Sequence, residues 1–275
     1  MSITAVPFEL TGADARPIRG DAFVNSEATA SVVLCHGLKG FARGGFFPFL
    51  TRRLNDAGFT VVTFDFSGSG VGDDRENFTD LEAFAADTFT NQLHDVDVVW
   101  REGQRRGWLS QPTGLFGFSR GGGIAILHAA ANPRVRALVT WSAISSVNRW
   151  SAEVRQAWRA RGYGEVENTR TKQVMRVSTA ILDDIEQNAE GGLDILGAAN
   201  RITVPWLIVH GTADETVPVH EGRQLHTASG DRAELALVER GTHTFNSAHG
   251  VVDPPPELAA ATDRTIRFFQ SNLEA

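Results

Sequence analysis

The sequence predicts an α/β fold with a mostly parallel β-sheet, for two reasons. First, short and nearly continuous apolar runs recur along the chain, as expected of strands that are covered on both faces. Second, segments with helical spacing of apolar residues separate these runs, and alternating strands and helices are typical of a parallel sheet. The apolar runs are 32–35, 61–64, 115–118, 137–141 and 206–209.

The predicted helices are bounded by the glycines, prolines and capping residues that start or stop helices. Thr79 and Glu82 have the spacing of a capping box, and apolar residues recur at helical spacing from there toward Arg106. This pattern predicts one long helix after the cap. The other predicted helices are 47–57, 120–131, 219–228 and 256–269.

The region 145–203 interrupts this alternation, because it has helical patterns but no convincing strand. We expect a mostly helical insertion over the C-terminal edge of the sheet; ordinary crossover helices are the alternative. The chain then divides into a core of residues 1–144 and 204–275 and an insertion of residues 145–203. The large side chains of the insertion either line a substrate pocket or form its own core; they are Trp150, Trp158, Tyr163 and Met175.

The composition indicates a soluble, cytoplasmic protein. The 275 residues are 42% hydrophobic, which is enough for a large buried core. Cys35 is the only cysteine, so no intrachain disulfide forms and no structural zinc site is expected. The chain does not start with a basic segment followed by a long apolar one, and no stretch reaches the roughly 18 uninterrupted apolar residues of a membrane span.

Charge and glycine patterns argue against two classes of ligand. The net charge of −7 is spread along the chain, which disfavours nucleic-acid binding. The glycine-rich segment 65–72 has neither of the glycine patterns of nucleotide-binding loops. We therefore expect a small-molecule substrate, with no nucleic-acid partner, no membrane association, no cofactor and no metal. The sequence makes no prediction about homo-oligomers.

One serine lies between glycines in the stretch GLFGFSRGGG, residues 114–123. The pattern Gly117-x-Ser119-x-Gly121 follows a predicted strand and precedes a predicted helix. A nucleophilic serine projects from such a tight strand-to-helix turn, where glycines two residues to either side relieve crowding. The context predicts that Ser119 is a nucleophile; a glycine-rich turn with an incidental serine is the alternative.

A serine hydroxyl becomes a competent nucleophile when an imidazole takes its proton and a carboxylate orients that imidazole. Asp214 lies in the loop after the run 206–209, and His243 lies in the loop after a further short apolar run, 235–238. Because loops at the C-terminal ends of parallel strands meet at one edge of the sheet, we expect both side chains to lie near Ser119. Glu215 is the competing carboxylate and His249 is the competing imidazole.

Acyl transfer also needs backbone N–H donors for the oxyanion that forms in the transition state. Arg120 directly follows Ser119 and is expected to supply one N–H. The loop that begins His36-Gly37-Leu38 follows an early strand, and we expect the second N–H to come from Leu38 and His36 to brace the loop. The Arg120 side chain is expected to add positive charge near the mouth of the pocket.

Five motifs occur in order along the chain: His36-Gly37, Asp65-x-x-Gly68-x-Gly70, Gly117-x-Ser119-x-Gly121, Gly211-x-x-Asp214-x-x-Val217-Pro218 and Gly241-x-His243. Taken together, these motifs resemble those of the α/β-hydrolase superfamily, and the resemblance extends from about Val32 to the C-terminus. The resemblance implies a mainly parallel sheet of about eight strands with helices on both faces and a small helical lid formed by residues 145–203.

Within the superfamily, the segments 36–41, 46–48 and 241–245 resemble bacterial serine esterases related to cinnamoyl and feruloyl esterases, and more loosely dienelactone hydrolases. Dienelactone hydrolases use a cysteine at the position of Ser119, so their reaction is less expected here. The resemblance implies a serine carboxylesterase that cleaves a small-molecule ester through an acyl-enzyme on Ser119. A serine aminopeptidase or amide hydrolase with the same triad is the alternative, followed by a non-catalytic binding protein.

Overall fold

An eight-stranded sheet forms the centre of the computed structural model, which describes residues 3–109, 112–168 and 170–273. Met1 and Ser2, at the start of the chain considered above, lie outside the described residues. The strands, of which β7 and β8 form a separate hairpin, are β1 (Ile3–Thr11), β2 (Pro17–Asn25), β3 (Ser31–Cys35), β4 (Thr60–Asp65), β5 (Thr113–Phe118), β6 (Val135–Trp141), β7 (Tyr163–Glu167), β8 (Val174–Ser178), β9 (Trp206–Gly211) and β10 (Glu234–Val238).

The strand order in the sheet is β1-β2-β4-β3-β5-β6-β9-β10. All neighbours from β4 to β10 are parallel, and only β1 and β2 add antiparallel pairings at one edge. The prediction of a mainly parallel sheet of about eight strands is therefore confirmed. Because the parallel strands all end at one edge, the loops after β3, β5, β9 and β10 converge there.

Helices cover both faces of this sheet, as predicted, since successive residues of a strand point to opposite faces. Val32 packs on the face that the helices at 47–56 and 256–273 cover, whereas Val33 packs on the face that the helices at 89–105 and 120–131 cover. No helix in the described ranges is long and apolar enough to span a membrane. The helices are α1 (Phe47–Asp56), α2 (Leu81–Ala86), α3 (Phe89–Arg105), α4 (Arg120–Ala131), α5 (Ala152–Arg161), α6 (Ala180–Asn188), α7 (Ile195–Arg201), α8 (Val219–Ala228) and α9 (Pro256–Leu273).

The prediction of one long helix over 79–106 is wrong. The chain forms α2 and α3, and between them Asp87 and Thr88 are extended. The cap of α2 is Asp80 rather than the Thr79 of the proposed capping box, and the Thr88 hydroxyl caps α3. The Asp87 side chain at this extended junction is buried and has a partner described below.

The 145–203 segment contains α5, α6 and α7, but the expectation that it lacks strands is also wrong. Its hairpin of β7 and β8 is antiparallel and runs from the Tyr163–Ser178 pair to the Glu167–Val174 pair. Gly164 allows this hairpin to pack directly against the ring of Trp158 on α5. Helix α2 of the core packs against β8, so the hairpin is attached to the rest of the protein.

Candidate active site

Ser119 lies in a strained turn between the end of β5 and the start of α4. Its backbone has φ 56° and ψ −121°, a region that a residue with a side chain occupies only when its surroundings force it to do so. The residue is 8% exposed. The turn therefore projects the Ser119 hydroxyl from the C-terminal edge of the sheet, as the G-x-S-x-G pattern predicts.

The two flanking glycines are required by close backbone contacts. A methyl group at Gly121 would lie 2.2 Å from the His36 carbonyl oxygen and 2.7 Å from that of Cys35. A methyl group at Gly117 would lie 2.4 Å from the Gly121 carbonyl oxygen. The turn therefore requires glycine at both positions, because neighbouring backbone atoms leave no room for a side chain there.

We expect Gly121→Ala to lower the free energy of unfolding by about 3 kcal/mol, because the added methyl meets backbone atoms that cannot rotate away. Urea unfolding measures this change. Gly191→Ala is the matched control, since its added methyl approaches no atom closer than 3.8 Å, and it should change the free energy by less than about 0.5 kcal/mol. Equal effects of the two substitutions would contradict the close packing at the turn.

The structure brings the three predicted polar side chains together. The His243 Nδ1 atom is 2.8 Å from Asp214 Oδ2, and the His243 Nε2 atom is 3.1 Å from Ser119 Oγ. An ionised carboxylate only accepts hydrogen bonds, so Nδ1 carries the proton and Nε2 is free to accept the Ser119 O–H. The chain from carboxylate through imidazole to hydroxyl is therefore continuous in the state without substrate.

Asp214 is held as a carboxylate. Its second oxygen, Oδ1, accepts the backbone N–H groups of Thr216 and Val217, both at 2.9 Å. Burial alone would raise the pKa of Asp214, but the hydrogen bonds from His243 and the Val217 N–H, with the electrostatic attraction of the imidazole, outweigh burial and keep that pKa below its usual value. A fixed negative charge thus faces Nδ1 of His243.

The competing residues lie elsewhere. Glu215 is exposed, although it adjoins Asp214 in the chain. His249 is exposed, and its Nδ1 accepts the Gly45 backbone N–H at 3.0 Å. His210, expected to be a core residue, is fully buried, and its Nε2 donates to the Val217 carbonyl at 2.8 Å.

The loop after β3 lies directly against Ser119. A methyl group at Gly37 would be 2.9 Å from the Ser119 Cβ atom. His36 braces this loop, because its Nδ1–H donates to the Gly37 carbonyl at 2.9 Å and its Nε2 accepts the Phe66 N–H at 3.2 Å. Burial lowers the pKa of His36, although the Asp65 carboxylate opposes this, so the ring stays neutral and can accept as well as donate.

The backbone N–H groups of Leu38 and Arg120 have no acceptor among the described residues. Leu38 lies in the braced loop, and Arg120 is the first residue of α4. The first N–H groups of a helix have no partner within the helix and carry the positive end of its dipole. The geometry can therefore stabilise a negative oxygen beside Ser119.

Comparison with known proteins agrees with this arrangement. Residues 26–162 match the family model described as serine aminopeptidase, S33. The sequence is 29% identical over 240 residues to the serine hydrolase BPHL of Homo sapiens, covering 80% of this chain and 75% of that protein. It is 25% identical over 191 residues to 2,6-dihydropseudooxynicotine hydrolase of Paenarthrobacter nicotinovorans, covering 68% of this chain and 46% of that protein, so the match spans about half the length of that relative.

The solved structures show the same fold. Est1E from Butyrivibrio proteoclasticus, with ferulic acid bound, superposes with a TM-score of 0.72 over 96% of this chain and 98% of that chain, at 16% sequence identity. The chain belongs to the α/β-hydrolase superfamily. The family model and both relatives are hydrolases, which supports a hydrolytic enzyme for this α/β-hydrolase.

The expectation for the Arg120 side chain of this α/β-hydrolase is wrong. The side chain does not lie at the pocket mouth; it is buried, with Nη1 3.2 Å from Asp87 Oδ2 and its guanidinium 4.6 Å from the centre of the Phe89 ring. A charged side chain that starts a buried turn needs a partner of opposite charge to remain there. Asp87, which the sequence reasoning missed, is that partner.

The large side chains of the 145–203 segment have different surroundings. Met175 and Trp158 are buried within the main hydrophobic core, and the Trp158 ring is 4.7 Å from that of Trp150. Tyr163 is half-buried between the guanidinium groups of Arg161 and Arg176, at 4.9 and 4.3 Å. Met175 and Trp158 thus belong to the core that the segment shares with the sheet, whereas Tyr163 keeps part of its surface exposed.

In the described parts of the chain, no three side chains of His, Cys, Asp or Glu are grouped so that they could hold a metal ion.

Proposed function

We propose that this α/β-hydrolase is a serine carboxylesterase in which Ser119, His243 and Asp214 form the catalytic triad. The observation that carries the proposal is the continuous chain of hydrogen bonds from Asp214 through His243 to Ser119, at 2.8 and 3.1 Å. This geometry supports removal of the Ser119 proton by His243 as the hydroxyl attacks a carbonyl carbon. The human relative BPHL is a serine hydrolase, which also supports a serine nucleophile.

In the proposed reaction, Ser119 Oγ attacks the ester carbonyl and its proton passes to His243 Nε2. The C–O bond to the alcohol then breaks, and the alcohol oxygen takes the proton from Nε2, which leaves an acyl group on Ser119. Water attacks this acyl-enzyme, gives one proton to His243, and releases the carboxylic acid while Ser119 regains its proton. Asp214 stabilises the imidazolium that forms in both halves.

The backbone N–H groups of Leu38 and Arg120 are our candidates for the oxyanion hole. Arg120 directly follows Ser119, Leu38 directly follows Gly37, which packs against Ser119, and neither N–H has a protein acceptor in the described residues. Such donors act at the moment when the carbonyl oxygen becomes negative, and one of them typically contributes about 10²- to 10³-fold to kcat.

A serine aminopeptidase is the second candidate, because the matching family model carries that description. An aminopeptidase must hold the positively charged amino terminus of its substrate. Two cationic side chains instead lie near the oxyanion loop: Lys39 follows Leu38 and is near the Glu167 carboxylate, and the Arg170 guanidinium lies 6.0 Å from the Phe41 ring. Because these charges repel an ammonium group, we favour the esterase.

We also propose that the 145–203 segment forms a lid over the C-terminal edge of the sheet. Two hydrogen bonds attach its hairpin to the loops of that edge: Lys39 Nζ donates to the Glu167 carbonyl at 2.7 Å, and Gln173 Nε2 donates to the Phe78 carbonyl at 3.2 Å. Of its large side chains, Trp150 and Tyr163 remain partly exposed and are our candidates for substrate contact.

A hydrolysis panel tests the proposed function. We expect p-nitrophenyl acetate, p-nitrophenyl laurate or methyl ferulate to be cleaved with a kcat/KM about 100-fold above that of any aminoacyl p-nitroanilide, because the cationic loop rejects the amino group. A fluorophosphonate should label the wild-type protein at Ser119. Faster cleavage of the aminoacyl amides would favour the aminopeptidase, and absence of both turnover and labelling would favour a binding protein.

A further inference from the structure

Behind the proposed oxyanion hole lies a buried ion pair that the proposed reaction does not use. Asp87 is 5% exposed and Arg120 is 6% exposed. The Arg120 guanidinium is held at two points, by Asp87 Oδ2 at 3.2 Å and by the face of the Phe89 ring at 4.6 Å. The same residue carries the backbone N–H that we assign to the oxyanion hole.

The junction between α2 and α3 is built to present Asp87 to Arg120. Asp87 and Thr88 are extended between the two helices, and Gln92 Nε2 donates to Asp87 Oδ2 at 2.6 Å. Asp87 Oδ1 lies against Gly68, where a methyl group would come within 2.4 Å of it. The loop 65–72 therefore contributes a glycine that makes room for this carboxylate.

The pair is not explained by stability. Within the described residues, Asp87 Oδ1 and Gln92 Oε1 are buried without a hydrogen-bond partner. A buried ion pair whose remaining polar atoms are unsatisfied is often no more stable than well-packed apolar side chains of similar volume. An arrangement that costs desolvation beside a catalytic turn suggests a functional reason.

We propose that Asp87 is a positioning residue for the Arg120 N–H, and that the ionised Asp87 side chain fixes the peptide group that binds the oxyanion. This inference rests on the proposed function. Arg120 is the first residue of α4 and follows a strained Ser119, so the direction of its N–H depends on what anchors the residue. When Asp87 loses its charge, the guanidinium loses its only carboxylate partner among the described residues and the anchor loosens.

The charges around Asp87 make this anchor sensitive to pH. Burial raises the pKa of Asp87 to about 7, although Arg120 and Gln92 oppose this, and the carboxylates of Asp95 on α3 and Asp184 on α6 raise the pKa further. The other charge facing Arg120 is Arg149, which is itself paired with Glu221 at 2.6 Å. Acidification through about pH 7 therefore protonates Asp87 in the folded protein and weakens the anchor.

The test compares the esterase kinetics of Asp87→Asn with those of wild type. We expect kcat to fall about 10- to 100-fold with KM within about twofold, since a misplaced donor affects the transition state rather than ground-state binding. In wild type, the acid limb of the kcat profile should contain a component near pH 7 that Asp87→Asn lacks. Affinity for a trifluoromethyl ketone, which forms an oxyanion on the serine, should fall in parallel with kcat.

Two further variants separate positioning from folding. Asp21→Asn removes an equally buried carboxylate, 5% exposed and paired with Arg43 and Arg75, and should leave kcat and its pH profile unchanged. The double variant Asp87→Asn/Arg120→Met removes both charges; it should unfold at no lower urea concentration than wild type, yet have a kcat as low as the single variant.

Unchanged or increased kcat in Asp87→Asn, with wild-type esterase activity intact, would overturn the inference but leave the proposed function standing. A kcat loss of the same size in Asp21→Asn would also overturn it, because any buried carboxylate would then have the same effect. If wild type itself neither turns over an ester nor reacts with the fluorophosphonate, the proposed function fails first and the inference fails with it.

Discussion

Ser119→Ala should lower kcat/KM for p-nitrophenyl butyrate by at least about 10⁴-fold while the fold persists. The Ser119 Oγ atom is the one that would bond to the acyl group, and no other hydroxyl in the described residues is bonded to His243. What remains after its removal is catalysis by the oxyanion N–H groups and by substrate binding. Initial rates at saturating and sub-saturating ester concentrations separate kcat from KM.

Ser69→Ala is the matched control for this substitution. Ser69 is also 8% exposed, and its hydroxyl accepts the Val71 backbone N–H at 3.3 Å, away from His243. Its kcat/KM should stay within a few-fold of wild type, and its urea midpoint should move at least as far as that of Ser119→Ala. Substantial ester turnover by purified Ser119→Ala, at wild-type folding, would reject Ser119 as the nucleophile.

The part of the fold that carries the proposed triad could be predicted from the sequence. The parallel strands other than the edge strand β10 are buried on both faces, so they appear as nearly continuous apolar runs, and each predicted run lies within one observed strand. Ser119 and Asp214 follow two such strands, and His243 follows β10, a shorter apolar stretch that is only partly buried. Because parallel strands end at one edge, their order along the chain was enough to bring them together.

The first two strands could not be recognised in the same way. They are antiparallel and lie at the edge of the sheet, where one side of a strand can face water. Strand β1 contains Pro7 and Glu9, and β2 contains Arg19 and Asp21, so neither forms an apolar run. The β7–β8 hairpin escaped notice for a similar reason, since its short strands alternate buried residues with exposed or half-buried ones such as Glu165 and Arg176.

The Asp87–Arg120 contact depends on tertiary structure that the sequence does not reveal. Apolar residues keep helical spacing across the junction of α2 and α3, because both helices bury a face, so the pattern cannot show that Asp87 and Thr88 are extended. An arginine directly after a buried nucleophile does require a carboxylate partner. Nothing in the sequence indicates which of the 33 acidic residues supplies it.

His243→Ala should lower kcat by at least about 10⁴-fold, whereas His249→Ala should keep kcat within about twofold of wild type. Only His243 lies between a carboxylate and the Ser119 hydroxyl, at 2.8 and 3.1 Å. His249 accepts the Gly45 N–H and is exposed, so its loss changes one hydrogen bond of a surface loop. Both variants are measured with the same ester at a pH where wild type is fully active.

The double variant Ser119→Ala/His243→Ala makes this comparison more stringent. An imidazole that acts only by taking the Ser119 proton has nothing to do once the hydroxyl is absent, so the double variant should be no slower than the slower single variant. Additive losses would mean that His243 also acts independently of Ser119, for example on a water molecule. A large loss of kcat in His249→Ala, together with an active His243→Ala, would instead assign the role of base to His249. The loop would then have to adopt a conformation in which His249 no longer accepts the Gly45 N–H.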